Sequence, residues 1–197
     1  MGTHQARRGD TRQRIQDVAL ELFLERGYEK TSLREIAEKL DVTKAALYYH
    51  FKTKEDIVIG LFQEFGRPLD ELIAWGRTQP SDLDTRLELL RRYSAALQTA
   101  SPLFRFAHEN QPTLRELSIG QSFRERITAL TELVTDAGGP LEDRARGMSA
   151  LFTVHFGAFA AMEWMTGDDT PDDKRRAFLQ VAEELLTAAH HPSAGTE

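Results

Sequence analysis

At 197 residues, 41% hydrophobic and 28% charged, the chain has an ordinary globular composition and length for one good-sized core or a small module joined to a larger one. It has no cysteine, which excludes disulfides and thiolate metal sites; with no signal-peptide pattern and no apolar run of membrane-spanning length, a cytoplasmic protein without a membrane partner is expected. The net charge of −6 is uneven: residues 1–54 carry 11 Lys and Arg against 8 Asp and Glu, the rest 14 against 23, so a mildly basic module precedes an acidic body.

Nearly every segment reads as helix. In "DTRQRIQDVALELFLERG" the apolar Ile15, Val18, Ala19, Leu22 and Phe23 form one stripe at helical spacing, and Gly27 ends it. A second helix opens at Ser32 with Glu35 three residues on, a capping box, and carries Leu33, Ile36, Ala37 and Leu40 inward. Asp41-Val42 makes a tight turn, Thr43 caps a third helix to about Phe51, and Thr53 with Asp56 caps a fourth. Three short helices with a two-residue turn between the second and third make a helix-turn-helix.

The third predicted helix, "TKAALYYHF", separates into two faces. Leu47 and Phe51 mark the core side, so Ala45, Ala46 and Tyr49 point away from it, with Tyr48 and His50 on the flanks and Lys44 near the amino end. Small outward side chains let a backbone approach the major groove, and an alanine methyl can touch a thymine methyl. Tyr, His and Lys at the rims can donate to phosphate oxygens.

The stretch "TSLREIAEKLDVTKAALYYHFKTKEDIV", preceded by "ALELFLERGYEK", resembles the DNA-binding domain of the TetR/AcrR family of transcriptional regulators over roughly residues 11–60. The matching pattern is G-Y, then T-S-x-x-x-I-A, then V-T-x-x-x-L-Y-x-x-F-x-x-K-E. The resemblance implies that Thr31 and Ser32 lie near phosphates, that Lys44, Ala45, Ala46 and Tyr49 meet bases, and that Tyr48, His50 and Lys54 meet the backbone, with the capping Thr43 in the same set. Asp41 departs from the family's usual glycine; Asp tolerates the left-handed conformation, so the turn is expected to survive.

Beyond residue 54 the resemblance is one of pattern only. The fourth helix carries Ile57, Leu61, Phe62 and Phe65, then meets "GRP" before Leu69, Leu72, Ile73 and Trp75, which reads either as a kinked hinge or as a stop at Gly66 and a fresh start at Pro68. A fifth helix follows in "SDLDTRLELLRRYSAALQTA", a short sixth in "SPLFRFAHEN", an irregular stretch between Pro112 and Gly120, and a seventh in "QSFRERITALTELVTDAGG". The eighth, "EDRARGMSALFTVHFGAFAAMEWMTG", is apolar nearly all round and so buried on both sides. A ninth is capped by Thr170 with Pro171 at its first position.

In the family such a closing helix pair forms a four-helix bundle with its copy, which implies a homodimer and an interface of Val154, Gly157, Ala158, Ala161, Met165, Phe178, Val181 and Leu185. Which face of the eighth helix meets the partner is not readable from the pattern. The expected cavity lining is Phe62, Phe65, Trp75, Tyr93, Phe104, Phe106, His108, Phe123, Phe152, His155 and Phe159, which fits a small apolar or aromatic effector. No nucleophile motif, phosphate loop or H-E-x-x-H is present, so neither catalytic residues nor a metal or other cofactor are expected.

The expected protein is all-α, of about nine helices: a disordered basic tail (1–9), a helix-turn-helix domain (10–54), a larger helical effector-binding and dimerisation domain (55–190) and a disordered tail (191–197). The function that follows is a regulator that a small apolar molecule releases from a palindromic double-stranded DNA operator. The rival readings are a helical carrier or enzyme with vestigial DNA binding, and an architectural DNA binder without an effector.

Overall fold

The computed structural model describes residues 3–117, 119–159, 165 and 167–188. Among them are ten helices and no strand: α1 (Thr3–Arg26), α2 (Leu33–Lys39), α3 (Lys44–His50), α4 (Lys54–Gly76), α5 (Leu83–Thr99), α6 (Ser101–Glu109), α7 (Gln111–Glu116), α8 (Ile119–Val134), α9 (Leu141–Phe159) and α10 (Pro171–Ala188). None of them is long and apolar enough to cross a membrane. α1 reaches back to Thr3, into the stretch expected to be a tail. α7 occupies the stretch expected to be irregular; Pro112 is its second residue, where a missing amide breaks no helical bond.

The chain divides into two units, one comprising residues up to Phe65 with Pro102–Gly120, the other Gly66–Ser101 with everything from Gln121 on. The first unit buries Ile15, Ala19, Leu22 and Phe23 of α1, Ile36 and Ala37 of α2, Leu47 of α3 and Ile57, Val58 and Leu61 of α4 around one centre. α6 closes that core, because Phe106 stacks on Phe23 at 5.5 Å and Tyr28 meets both rings edge-on.

The turn between α2 and α3 is a Schellman motif. Val42 N–H donates to Ala37 O at 3.1 Å and Asp41 N–H to Glu38 O at 3.2 Å, closing the carbonyls that α2 leaves open. The motif requires a left-handed residue, and Asp41 supplies it at φ 54°. Asp41→Gly is therefore expected to gain about 0.5 kcal/mol in urea unfolding and Asp41→Val to lose about 1–2 kcal/mol, since a branched side chain clashes most there. Equal stabilities in the two variants would contradict the strain at this residue.

α4 is one helix from Lys54 to Gly76 with Pro68 inside it, so the reading of two separate helices does not hold. Pro68 offers no amide to the Glu64 carbonyl, an interruption that costs roughly 3 kcal/mol. The buried Leu69, Leu72 and Ile73 just beyond it continue the apolar stripe and carry the helix through. In the second unit α9 packs on α10, and Gly157 sets their separation: a Cβ there would lie 2.4 Å from Phe178 Cβ.

Candidate nucleic-acid interface

α3 is held at both ends. Thr43 Oγ1 accepts from Ala46 N–H at 3.2 Å at its start. At its end Lys52 Nζ donates to Tyr48 O at 2.7 Å, and Arg12 donates to His50 O at 3.2 Å while lying 4.2 Å over the Phe51 ring. Two cations on the last carbonyls suit the negative end of the helix dipole, and Arg12 also ties the helix to α1.

That fixing sets which side chains face out. Leu47 and Phe51 are fully buried, whereas Lys44, Ala45 and Ala46 are exposed and Tyr49 is 60% exposed. Tyr48 and His50 are half-buried on the flanks; Lys44 Nζ sits 5.3 Å from the Tyr48 ring, and the Tyr49 and His50 rings meet edge to face at 5.3 Å. Lys44, Ala45, Ala46, Tyr48, Tyr49 and His50 thus form one surface around an outward helix.

The other predicted DNA residues are placed differently. Ser32 is exposed at the start of α2, in a capping box with Glu35, whose carboxyl is held below its usual range chiefly by the Ser32 hydroxyl. Thr31 is buried, and its hydroxyl donates to Gly27 O at 2.9 Å and Leu22 O at 3.3 Å, so it shapes the loop instead of facing solvent. Lys54 Nζ donates to Tyr28 O at 2.7 Å and lies 4.3 Å over that ring. Tyr28 in turn donates to Glu55 at 3.0 Å; burial first, then this carboxylate, raises its phenol pKa. Lys54 is thus an anchor of the α1–α2 loop. Arg12 and Lys52 were missed by sequence reasoning; the four-residue spacing of Tyr48 and Lys52 could have revealed the second, whereas Arg12 acts only through tertiary contact.

The expected cavity residues fall into both units. In the second, Tyr93 is wholly buried and its hydroxyl is 2.8 Å from His155 Nδ1, with the two rings stacked 6.4 Å apart and Phe123 5.7 Å from His155. Trp75 is faced by Arg92, whose guanidinium lies 3.9 Å over its ring. Phe152 is 51% exposed, turned outward. In the first unit Phe106 belongs to the core, Phe65 meets Phe104 edge-on at 4.8 Å, Phe62 is half-buried and His108 is exposed. The Phe159 side chain lies outside the described residues.

Burial lowers the His155 pKa from its ordinary 6.5 to about 4, so the ring is neutral at pH 7. Between those values the unfolded chain binds a proton that the folded one does not. Stability is therefore unaffected by His155 above pH 6.5 and falls as pH drops toward 4, by up to about 1.4 kcal/mol per pH unit. Urea unfolding at pH 7.5 and pH 5 should show this fall, and His155→Gln should flatten it; an equal fall in the variant would contradict the assignment.

Of the expected interface, Val154 is buried and Gly157 is seated under Phe178, so both face into their own unit. Ala158 is half-buried, Met165 is exposed, and Ala161 lies outside the described residues. The outer apolar face lies one step round α9, at Met148 (47% exposed), Phe152 and Phe156 (41%). α10 extends it with Phe178, whose ring is 5.6 Å from Phe156, and with Val181 (48%), while Leu185 is half-buried. No group of three or more metal-binding side chains occurs among the described residues.

The sequence profile described as bacterial regulatory proteins, tetR family, matches residues 15–61. The HTH-type transcriptional regulator AcrR of Shigella flexneri is 54% identical over 48 residues, which cover 24% of this chain and only 22% of that protein. The HTH-type transcriptional repressor KstR2 of Rhodococcus jostii is 30% identical over 196 residues, covering 91% of this chain and 93% of that protein. Among solved structures, a transcriptional regulator from Aquifex aeolicus has the same fold at a TM-score of 0.69 and 16% identity, covering 89% of this chain and 99% of the other.

Proposed function

This chain belongs to the tetR family of bacterial regulatory proteins, and from that premise we propose that it is a dimeric repressor, released from a two-fold-symmetric DNA operator by a small apolar molecule. The observation that carries the reading is the outward surface of α3, where Lys44, the two alanines and Tyr49 are exposed on a helix fixed at both ends. Alanines permit close approach to the major groove, Tyr49 can reach base edges, and Lys44, Tyr48 and His50 can hold phosphates.

One such helix reads too few bases for useful specificity, and a two-fold dimer sets two of them about 34–36 Å apart, one helical turn of DNA. The apolar outer face of α9 and α10 supports a second copy as the partner, since a patch of Met148, Phe152, Phe156, Phe178 and Val181 in water calls for cover. The effector reading rests on Tyr93, Phe123 and His155, a mostly apolar group with one neutral imidazole as its polar anchor. An effector releases DNA only by binding the DNA-incompetent arrangement more tightly, and α4 is the element that extends from Lys54 of the DNA-binding unit into the unit with these rings.

The test is fluorescence anisotropy with a duplex that the protein selects from a random pool, with straight-chain acyl and aromatic carboxylates of graded length as added probes. One class should weaken binding about 5- to 150-fold. A selected duplex held equally tightly with every probe at saturation would remove the release mechanism while leaving DNA binding intact.

A further inference from the structure

Arg126 of α8 grips α4 in a two-pronged contact. Its Nε donates to Asp70 Oδ1 and its Nη2 to Asp70 Oδ2, both at 2.8 Å, a bidentate fork that only a guanidinium makes. The same guanidinium lies flat against Gly66, where a Cβ would come within 2.5 Å of Arg126 Cζ. Gly66 and Asp70 are one helical turn apart, and between them sits Pro68, which withholds an amide from the α4 ladder. The fork therefore splints α4 where its own hydrogen bonding is weakest.

On α8, Phe123 is three residues before Arg126 and thus on a neighbouring part of the same face. Phe123 packs against His155 at 5.7 Å, and His155 pairs with the Tyr93 hydroxyl at 2.8 Å. α8 therefore meets the Tyr93–His155 pair through Phe123 and, one turn on, Asp70 and Gly66 through Arg126, all inside the second unit.

We propose that the Arg126 fork on Asp70 and Gly66 is the latch through which α8 reports the state of the Tyr93–His155–Phe123 group to α4, a step that rests on the repressor reading above. Closed, it holds α4 in the ligand-free pose that suits operator DNA. A molecule entering beside Phe123 displaces α8, opens the fork and frees α4 at its proline. Arg126 and Asp70 are positioning residues that touch neither DNA nor effector.

The test measures affinity for the selected operator duplex and for an unrelated duplex, with circular dichroism and melting as fold controls. Arg126→Ala and Asp70→Ala should each weaken operator binding about fivefold or more, with little change on unrelated DNA, and the double variant should be no worse than either single one. Arg126→Lys keeps the charge but cannot fork, so it should resemble Arg126→Ala, as should Gly66→Ala, which pushes the guanidinium aside. Exchanging the pair, Asp70→Arg with Arg126→Asp, should recover most of the loss. Operator affinity unchanged in folded Arg126→Ala and Gly66→Ala, or equal losses on both duplexes, would overturn the latch while leaving the repressor reading in place. Failure of the wild-type protein to bind any duplex would overturn both.

Discussion

A chain carrying Phe152→Glu and Val181→Glu should run as a folded monomer in light scattering and bind the selected operator about 10²- to 10⁴-fold more weakly. Both side chains are about half exposed within a single chain, so a carboxylate there costs the isolated fold little. At a dimer interface each would become a buried, unpaired charge, which costs several kcal/mol per ion. Monomers lose the linked second half-site, and an effective-concentration gain of that size goes with it. Gly157→Glu serves as the contrast: its side chain would collide with Phe178 inside one chain and should lower the melting temperature itself. Folded dimers that survive the double substitution would place the interface away from α9 and α10.

Changes on α3 should separate affinity from specificity. Lys44 is exposed at the start of the helix, and Lys44→Ala should weaken binding at low salt and reduce the slope of log affinity against log salt by about 0.9, the value for one phosphate. Tyr49→Ala should leave that slope alone and relax the preferred sequence at one position, by roughly 1–3 kcal/mol of discrimination. Lys54→Ala is expected to differ from both, because Lys54 already donates to Tyr28 O and covers that ring. Its loss should lower the stability of the first unit as well as the affinity. A Lys44→Ala variant with wild-type affinity and salt slope would remove the phosphate role from α3.

The first fifty or so residues were legible because short-range chemistry decides them. The boxes at Ser32–Glu35 and Thr53–Asp56, the cap at Thr43 and the left-handed Asp41 each act within a few residues, and each is found where the pattern put it. The two faces of α3 follow from 100° per residue once Leu47 and Phe51 are assigned inward. The body was less legible because its outcomes depend on contacts distant in sequence. Proline argues for a break in α4, yet burial of Leu69, Leu72 and Ile73 overrides it. Phe106 looks like any pocket aromatic until its ring is found stacked on Phe23, far earlier in the chain. α9 is apolar almost all round, so its pattern has no preferred face; the seat of Gly157 under Phe178 orients it, turning Val154 inward and Phe152 outward. Thr31 and Lys54 match the family's pattern, and the bonds they make to the α1–α2 loop depend on how that loop folds back, which the sequence alone does not give.

Whether the outward face of α3 reads DNA as one of two related copies is decided by selection from a random duplex pool with the wild-type protein and with Tyr49→Ala in parallel. The wild type should enrich an inverted repeat with half-sites centred one helical turn apart, about 10–10.5 base pairs or a multiple of it, and Tyr49→Ala should enrich the same spacing with one position in each half-site degenerate. Enrichment of no common sequence by the folded wild-type protein, or of the same sequence with equal strictness by Tyr49→Ala, would take base reading away from α3.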